Sequence, residues 1–130
     1  MIIEWSLPRR RIRYQLAIVH GAVLIGNCGI RQPGRDAVEA EFGCELAPAA
    51  WGHGYAAEAS RAIFSFGFTE LRLQRIFANT NTANSPAIAL ARRLGMREEA
   101  SAHQADRGDS TVVLGISERH WNDAFASCLQ

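Results

Sequence analysis

Ala50-Trp51-Gly52-His53-Gly54-Tyr55-Ala56 joins two segments of different hydrophobic period, and that junction decides the fold. Before it, Val38, Ala40, Phe42, Cys44 and Leu46 alternate with Glu39, Glu41, Gly43 and Glu45. Period two predicts a strand with all three carboxylates on one face and the apolar set on the other. After it, residues 56–72 repeat with helical period. Glu58, Arg61, Ser65, Thr69 and Arg72 form a polar stripe, and Ala59, Ile63, Phe64, Phe66, Phe68 and Leu71 form a broad apolar face. Gly67 falls mid-helix, where it costs roughly 1 kcal/mol against alanine, so close packing is expected there. A strand that enters a glycine turn opening a helix aims backbone N–H groups and the positive helix end together. That arrangement suits a phosphate or diphosphate. The plainer alternative is a structural turn whose glycines supply positive φ.

Outward from this centre, residues 14–19 and 23–30 read as an antiparallel hairpin turning at His20-Gly21. Pro33-Gly34-Arg35-Asp36 is a turn signal. Residues 75–79 form a short strand, and Ser85-Pro86 starts a second helix, with an N-cap and a proline at its first position, that ends at Gly95. Residues 97–102 and 111–117 are two last strands around a turn at 106–109. Strands first, then helices alternating with strands, predict a mixed α/β sheet. The organisation expected is an entry segment over 1–12, a domain over 13–121 and a tail over 122–130.

The 130 residues suffice for one core. A net charge of +1 provides no bulk field toward nucleic acid or an anionic membrane. All 14 basic residues are arginine, which bars lysine Schiff-base chemistry and a Walker-type phosphate lysine. Cys28, Cys44 and Cys128 are odd in number and far apart, so they read as reduced thiols in a cytoplasmic protein, with no zinc site or other metal. No apolar run approaches a membrane span.

Gly52-His53-Gly54-Tyr55-Ala56-Ala57 also satisfies G-x-G-x-x-G/A, the dinucleotide fingerprint. That reading fails on context. Three strands precede the turn, and the following strand Arg75-Ile76-Phe77-Ala78-Asn79 lacks the required acidic residue.

Several segments, in order and spacing, instead resemble the GNAT acetyltransferase superfamily. They are Tyr14-Gln15-Leu16-Ala17-Ile18-Val19, Leu24 with Ile25-Gly26-Asn27-Cys28-Gly29-Ile30, Glu41-Phe42-Gly43-Cys44-Glu45-Leu46, and Trp51 through Ala59. Arg75-Ile76, Asn84 to Met96, and Glu118 to Trp121 complete the set. The nearest branch is that of ribosomal-protein N-terminal acetyltransferases (the RimJ/RimL type). The resemblance implies a mostly antiparallel central sheet flanked by helices, acetyl-CoA as co-substrate and a primary amine as acceptor. The amine is a protein N-terminus or a small amine, and attack is direct within a ternary complex.

By the same resemblance the main chain of Trp51, Gly52, His53, Gly54, Tyr55 and Ala56 binds the diphosphate. Leu46 and Ala47 pair with the pantetheine amides, and a backbone N–H near them holds the oxyanion. Asn84 either contacts the pantetheine arm or caps the second helix. His53 either touches a phosphate or is a solvated loop histidine. Glu41 is the general base, with Glu39 and Glu45 as alternates, unless these carboxylates are only the solvated side of the sheet.

The sequence also departs from the family pattern. Ala49 stands at a Gln/Arg position of the loop. Ala91 and Ala87 stand where the family places a tyrosine or serine to protonate the leaving thiolate. Only residues 1–13 precede the first matched strand, fewer than the strand and two helices with which family members begin. A wrong gene start, a truncation or a partner-supplied wall would account for that, and an uncovered sheet face favours a homodimer. The second reading is therefore a catalytically silent acyl-CoA-binding or oligomerising module.

Overall fold

In the computed structural model, which describes residues 2–4, 13–34, 36–104 and 109–125, seven strands form one sheet. They are β1 (Ile2–Glu4), β2 (Arg13–His20), β3 (Val23–Arg31), β4 (Glu39–Leu46), β5 (Arg75–Asn81), β6 (Arg97–Gln104) and β7 (Asp109–Ser117). Their order across the sheet is β1-β2-β3-β4-β5-β7-β6. Every neighbouring pair is antiparallel except β4 with β5. A parallel pair needs a crossover, and helix α1 (Tyr55–Thr69) supplies it. Two further helices, α2 (Ser85–Arg93) and α3 (Glu118–Phe125), complete the domain.

The period-two reading of β4 holds: Ala40 and Phe42 are buried, while Glu39 and Glu45 are exposed. Val38 departs from it at 45% exposure, because it precedes the strand. Its carbonyl instead receives the Gln74 and Arg75 N–H groups (2.6 and 3.3 Å), tying the start of β5 to the start of β4.

The helical face lands where its period predicts. Ile63, Phe64 and Phe68 of α1 are buried with Leu16, Ile18, Ile30, Phe42 and Ile76 of the sheet. Phe64 meets Phe42 edge-on at 4.9 Å between centroids. A Cβ on Gly67 would lie 3.1 Å from the terminal methyls of Ile30 and Leu73 and 3.3 Å from that of Ile76, so the expected close packing is present. The helix is shorter than its period suggests, ending at Thr69 rather than 72. Arg72 takes a left-handed conformation (φ 54°), and Leu73 donates back to the Gly67 carbonyl at 3.0 Å. This turn carries Leu73 into the core, where it is fully buried.

Other differences are local. Residues 2–4, expected to be part of an unpatterned entry segment, form β1, with Ile2 opposite Val19. The N-cap of α2 is Asn84, the capping role read as one of its two alternatives, rather than Ser85, and its side chain accepts from the Ala87 N–H. Gly95 follows that helix with φ 88°, as its C-terminal position requires. α3 was not evident from periodicity; its Trp121 is buried against Phe64 and Phe68, at 5.5 and 5.9 Å. The turn expected at 106–109 lies, apart from Asp109, outside the described residues.

Candidate functional site

The glycine turn leaves donors free. Gly52 and Gly54 both have positive φ (83° and 79°), a region that costs an L-residue about 1–2 kcal/mol. Gly54 is the N-cap of α1 and, being glycine, offers no side-chain acceptor. The first bond of the helix runs from the Glu58 N–H to the Gly54 carbonyl at 3.0 Å. The Tyr55, Ala56 and Ala57 N–H groups therefore have no intrahelical acceptor. They open into a cavity of about 530 Å³, lined also by Leu46, Trp51, Asn84 and Pro86. A dipole end with uncapped donors at a cavity fits an anionic group.

Trp51 fixes the loop to the strand: its indole N–H donates to the Leu46 carbonyl at 2.8 Å. The ring itself is 54% exposed. His53 is exposed, and its ring stacks on Tyr55 at 5.3 Å. Tyr55 also meets His20, with its hydroxyl 3.2 Å from Nε2, a pairing with no local signal 35 positions apart in the chain.

The parallel seam opens beside this turn. β4 and β5 pair only through Glu39–Arg75, Ala40–Ile76 and Glu41–Phe77, although both strands continue. Beyond Glu41 they part. The Ala47 N–H donates to the Ile25 carbonyl at 2.8 Å, which fixes the ladder's phase. In an antiparallel ladder the bonded positions alternate, so Glu45 and Gly43 bond β3 while Leu46 and Cys44 turn their N–H and C=O toward the gap. Ala47, expected to pair with a ligand beside Leu46, is thereby engaged: its carbonyl also accepts the Ala50 N–H at 2.8 Å. Leu46 keeps its N–H toward the gap.

On the far side of the gap lies a second cavity, about 620 Å³, sharing Cys44, Glu45, Asn84, Ala87 and Leu90 with the first. Its floor is bare because Gly29 and Gly43 are directly paired. The next row toward one edge contains Arg31 and Glu41, and toward the other Asn27 and Glu45.

Of the three carboxylates, Glu41 is the most tightly held in this cavity. It accepts from Arg31 at 3.3 Å and from Asn79 Nδ2 at 3.0 Å, bridging β3 and β5. Glu45 lines both cavities. Glu39 lines neither; Arg75 draws it off at 3.3 Å and also binds Glu99, whose hydrogen bond is the main cause raising the Arg75 pKa.

Ala87 and Ala91 both line the second cavity, so methyl groups face it where the family pattern places a hydroxyl. Asn84 acts as a helix cap at 3.3 Å while also lining both cavities. Cys28 and Cys44 face each other across β3 and β4. Their mutual hydrogen bond, with burial, pushes the Cys28 thiol well up, and the same bond lowers Cys44 against the effect of burial. Among the described residues no group of His, Cys, Asp and Glu is placed to hold a metal ion.

Comparison with known proteins gives a consistent family. A family model described as "Acetyltransferase (GNAT) domain" matches residues 1–97. An uncharacterized N-acetyltransferase, p20 of Bacillus licheniformis, is 29% identical over 113 residues, covering 87% of this chain and 64% of that protein. The uncharacterized N-acetyltransferase YnaD of Bacillus subtilis is 39% identical over 86 residues, covering 63% of this chain and 51% of the relative. The chain thus spans between half and two thirds of the length of these relatives. Among solved structures, a probable acetyltransferase superposes with a TM-score of 0.77 at 22% identity, covering 84% of this chain and 64% of that one. A variant of the spermidine N-acetyltransferase SpeG from Vibrio cholerae gives 0.75 at 22% identity, covering 87% and 70%. At such identities the structures speak for the fold.

Proposed function

This chain belongs to the GNAT acetyltransferase family, and from that premise we propose that it transfers acetyl from acetyl-CoA to a primary amine. The observation that carries the reading is the parting of β4 and β5 beside the uncapped start of α1, which joins the two cavities into one cleft.

In this reading the diphosphate lies on the N–H groups around Gly52, Gly54, Tyr55 and Ala56, with Trp51 and His53 framing the loop. The pantetheine arm runs along β4 past Leu46 and Asn84, which sets the thioester in the gap. The amine enters over the Gly29–Gly43 floor. Its nitrogen bonds to the acyl carbon, the C–S bond breaks, and the CoA thiolate leaves. The Leu46 N–H, free of the β3 ladder, faces the developing oxyanion. Glu41, directly or through a water, takes the proton that the amine loses. CoA thiolate is a reasonable leaving group near neutral pH, so Ala87 and Ala91 slow its departure without forbidding it.

Glu41→Gln is expected to lower kcat roughly 100-fold with acetyl-CoA affinity unchanged, measured by thiol release and by calorimetry. An unchanged kcat would remove Glu41 from the mechanism and leave Glu45 as the base. Gly43 supplies a separate check. A Cβ there meets nothing within 4 Å, so Gly43→Leu should leave the urea midpoint nearly unchanged. Its side chain would fill the acceptor floor, so the amine KM should rise about tenfold or more while acetyl-CoA binding persists.

By sequence the branch proposed is the ribosomal-protein N-terminal type, with a protein N-terminus or a small amine as acceptor, in a cytoplasmic protein working as a homodimer without metal. A second reading, a silent acyl-CoA-binding module, is favoured by the two alanines facing the cleft. Absence of thiol release with every amine, in protein that binds acetyl-CoA, would establish it.

A further inference from the structure

The acceptor side of the cleft carries two cations that proton removal does not use. Arg13 pairs directly with Arg31 across β2 and β3, and Arg31 pairs directly with Glu41 across β3 and β4. Directly paired residues project from the same face, so two guanidiniums and a carboxylate form one row beside the glycine floor. Like charges set opposite each other weaken a ladder. One carboxylate cannot neutralise both. Arg31 contacts Glu41 at 3.3 Å, and among the described residues no carboxylate pairs with Arg13.

All of these line the second cavity, together with Glu45. The cavity is therefore bipolar, with two cations toward β2 and two anions along β4. A polycation would meet the arginines with the wrong sign. A neutral amine would leave their repulsion in place. A molecule carrying an amine and a carboxylate a few ångströms apart satisfies both ends. A guanidinium fork also suits a carboxylate geometrically, because it donates two parallel hydrogen bonds.

We propose that the acceptor is a small zwitterionic amine, an amino acid or a close analogue. Its carboxylate is held by Arg13 and Arg31, and its amino group faces the carboxylates of β4. This rests on the acetyl-transfer reading and specifies its acceptor. The carboxylate does no chemistry. It anchors the molecule and relieves the Arg13–Arg31 repulsion, so its contribution falls on binding.

The test is steady-state thiol release from acetyl-CoA with a set of amino acids, their carboxamides and spermidine, for the wild type and for Arg13→Gln and Arg13→Lys. The amino acid should exceed its own carboxamide about tenfold or more in kcat/KM. Arg13→Gln should raise the amino-acid KM about tenfold with kcat nearly kept, leave the carboxamide KM unchanged, and be partly rescued by Arg13→Lys. A purely structural role for Arg13 would move both substrates together, and that result would overturn the proposal. Equal rates for amino acid and carboxamide, or a preference for spermidine, would overturn it while leaving acetyl transfer standing. No thiol release with any amine, in protein shown to bind acetyl-CoA, would overturn both.

Discussion

Ala56→Asp is expected to abolish acetyl-CoA binding while holding or raising the melting temperature. Ala56 is the second residue of α1, and its N–H has no acceptor within the helix. The only acid now in the first turn is Glu58. A carboxylate at the second position interacts favourably with the helix dipole, a gain of about 0.3–1 kcal/mol to the fold. The same carboxylate would stand where the diphosphate lies in the proposed reading. Two like charges about 4 Å apart repel by roughly 4 kcal/mol at an effective dielectric near 20, and each 1.4 kcal/mol is about tenfold in affinity. Affinity should therefore fall by about 100-fold or more. Ala56→Asn adds nearly the same volume without charge and should lose far less.

Thermal shift and calorimetry with acetyl-CoA and NAD read both effects. In the wild type, acetyl-CoA at 100 times its dissociation constant should add about 2.7 kcal/mol, several degrees for a domain of this size, and NAD should add none. An Ala56→Asp protein that still binds acetyl-CoA would mean that the diphosphate does not lie at this helix end.

The largest effect on stability is expected from Phe64→Ala. Phe64 is fully buried and touches rings from three elements: Phe42 of β4 at 4.9 Å, Trp121 of α3 at 5.5 Å and Phe68 of its own helix at 6.4 Å. Truncating such a side chain costs about 3–5 kcal/mol, against a total stability on the order of 5–15 kcal/mol. Urea denaturation should show the midpoint falling steeply. Phe64→Leu keeps most of the volume and should cost less than half as much. A loss below about 1 kcal/mol for the alanine variant would show that α1 is not the centre of the core.

Much of this was legible in the chain because it is local. Alternation in Glu39 to Leu46 fixed which face of β4 is acidic, and the spacing of Ile63, Phe64 and Phe68 fixed which face of α1 is buried. Gly52 and Gly54 marked positive φ before a helix, and both have it. What escaped the sequence depends on register or on distant pairing. Nothing local says that Gly29 will lie beside Gly43, or Arg13 beside Arg31. The engagement of the Ala47 amide by Ile25 also follows from register alone. β1 is too short at three residues to show a period, and α3 is organised around Trp121, whose partners lie more than fifty positions earlier. The sequence put Glu41 first, with Glu39 and Glu45 as alternates on the same face; that Arg75 draws Glu39 aside depends on pairing across the seam and had no local signal.

The three residue pairs that hold β4 to β5 divide the sheet into two leaves. Among the described helices, α1 bridges them, packing on β3 and β4 of one and β5 of the other. Gly67 sits against Ile30 of one leaf and Ile76 of the other, so α1 is the clasp, while its opposite end is the uncapped terminus at Gly54. The clasp and the glycine turn are thus two ends of one helix. In the proposed reading, a ligand in the gap would therefore touch both leaves at once.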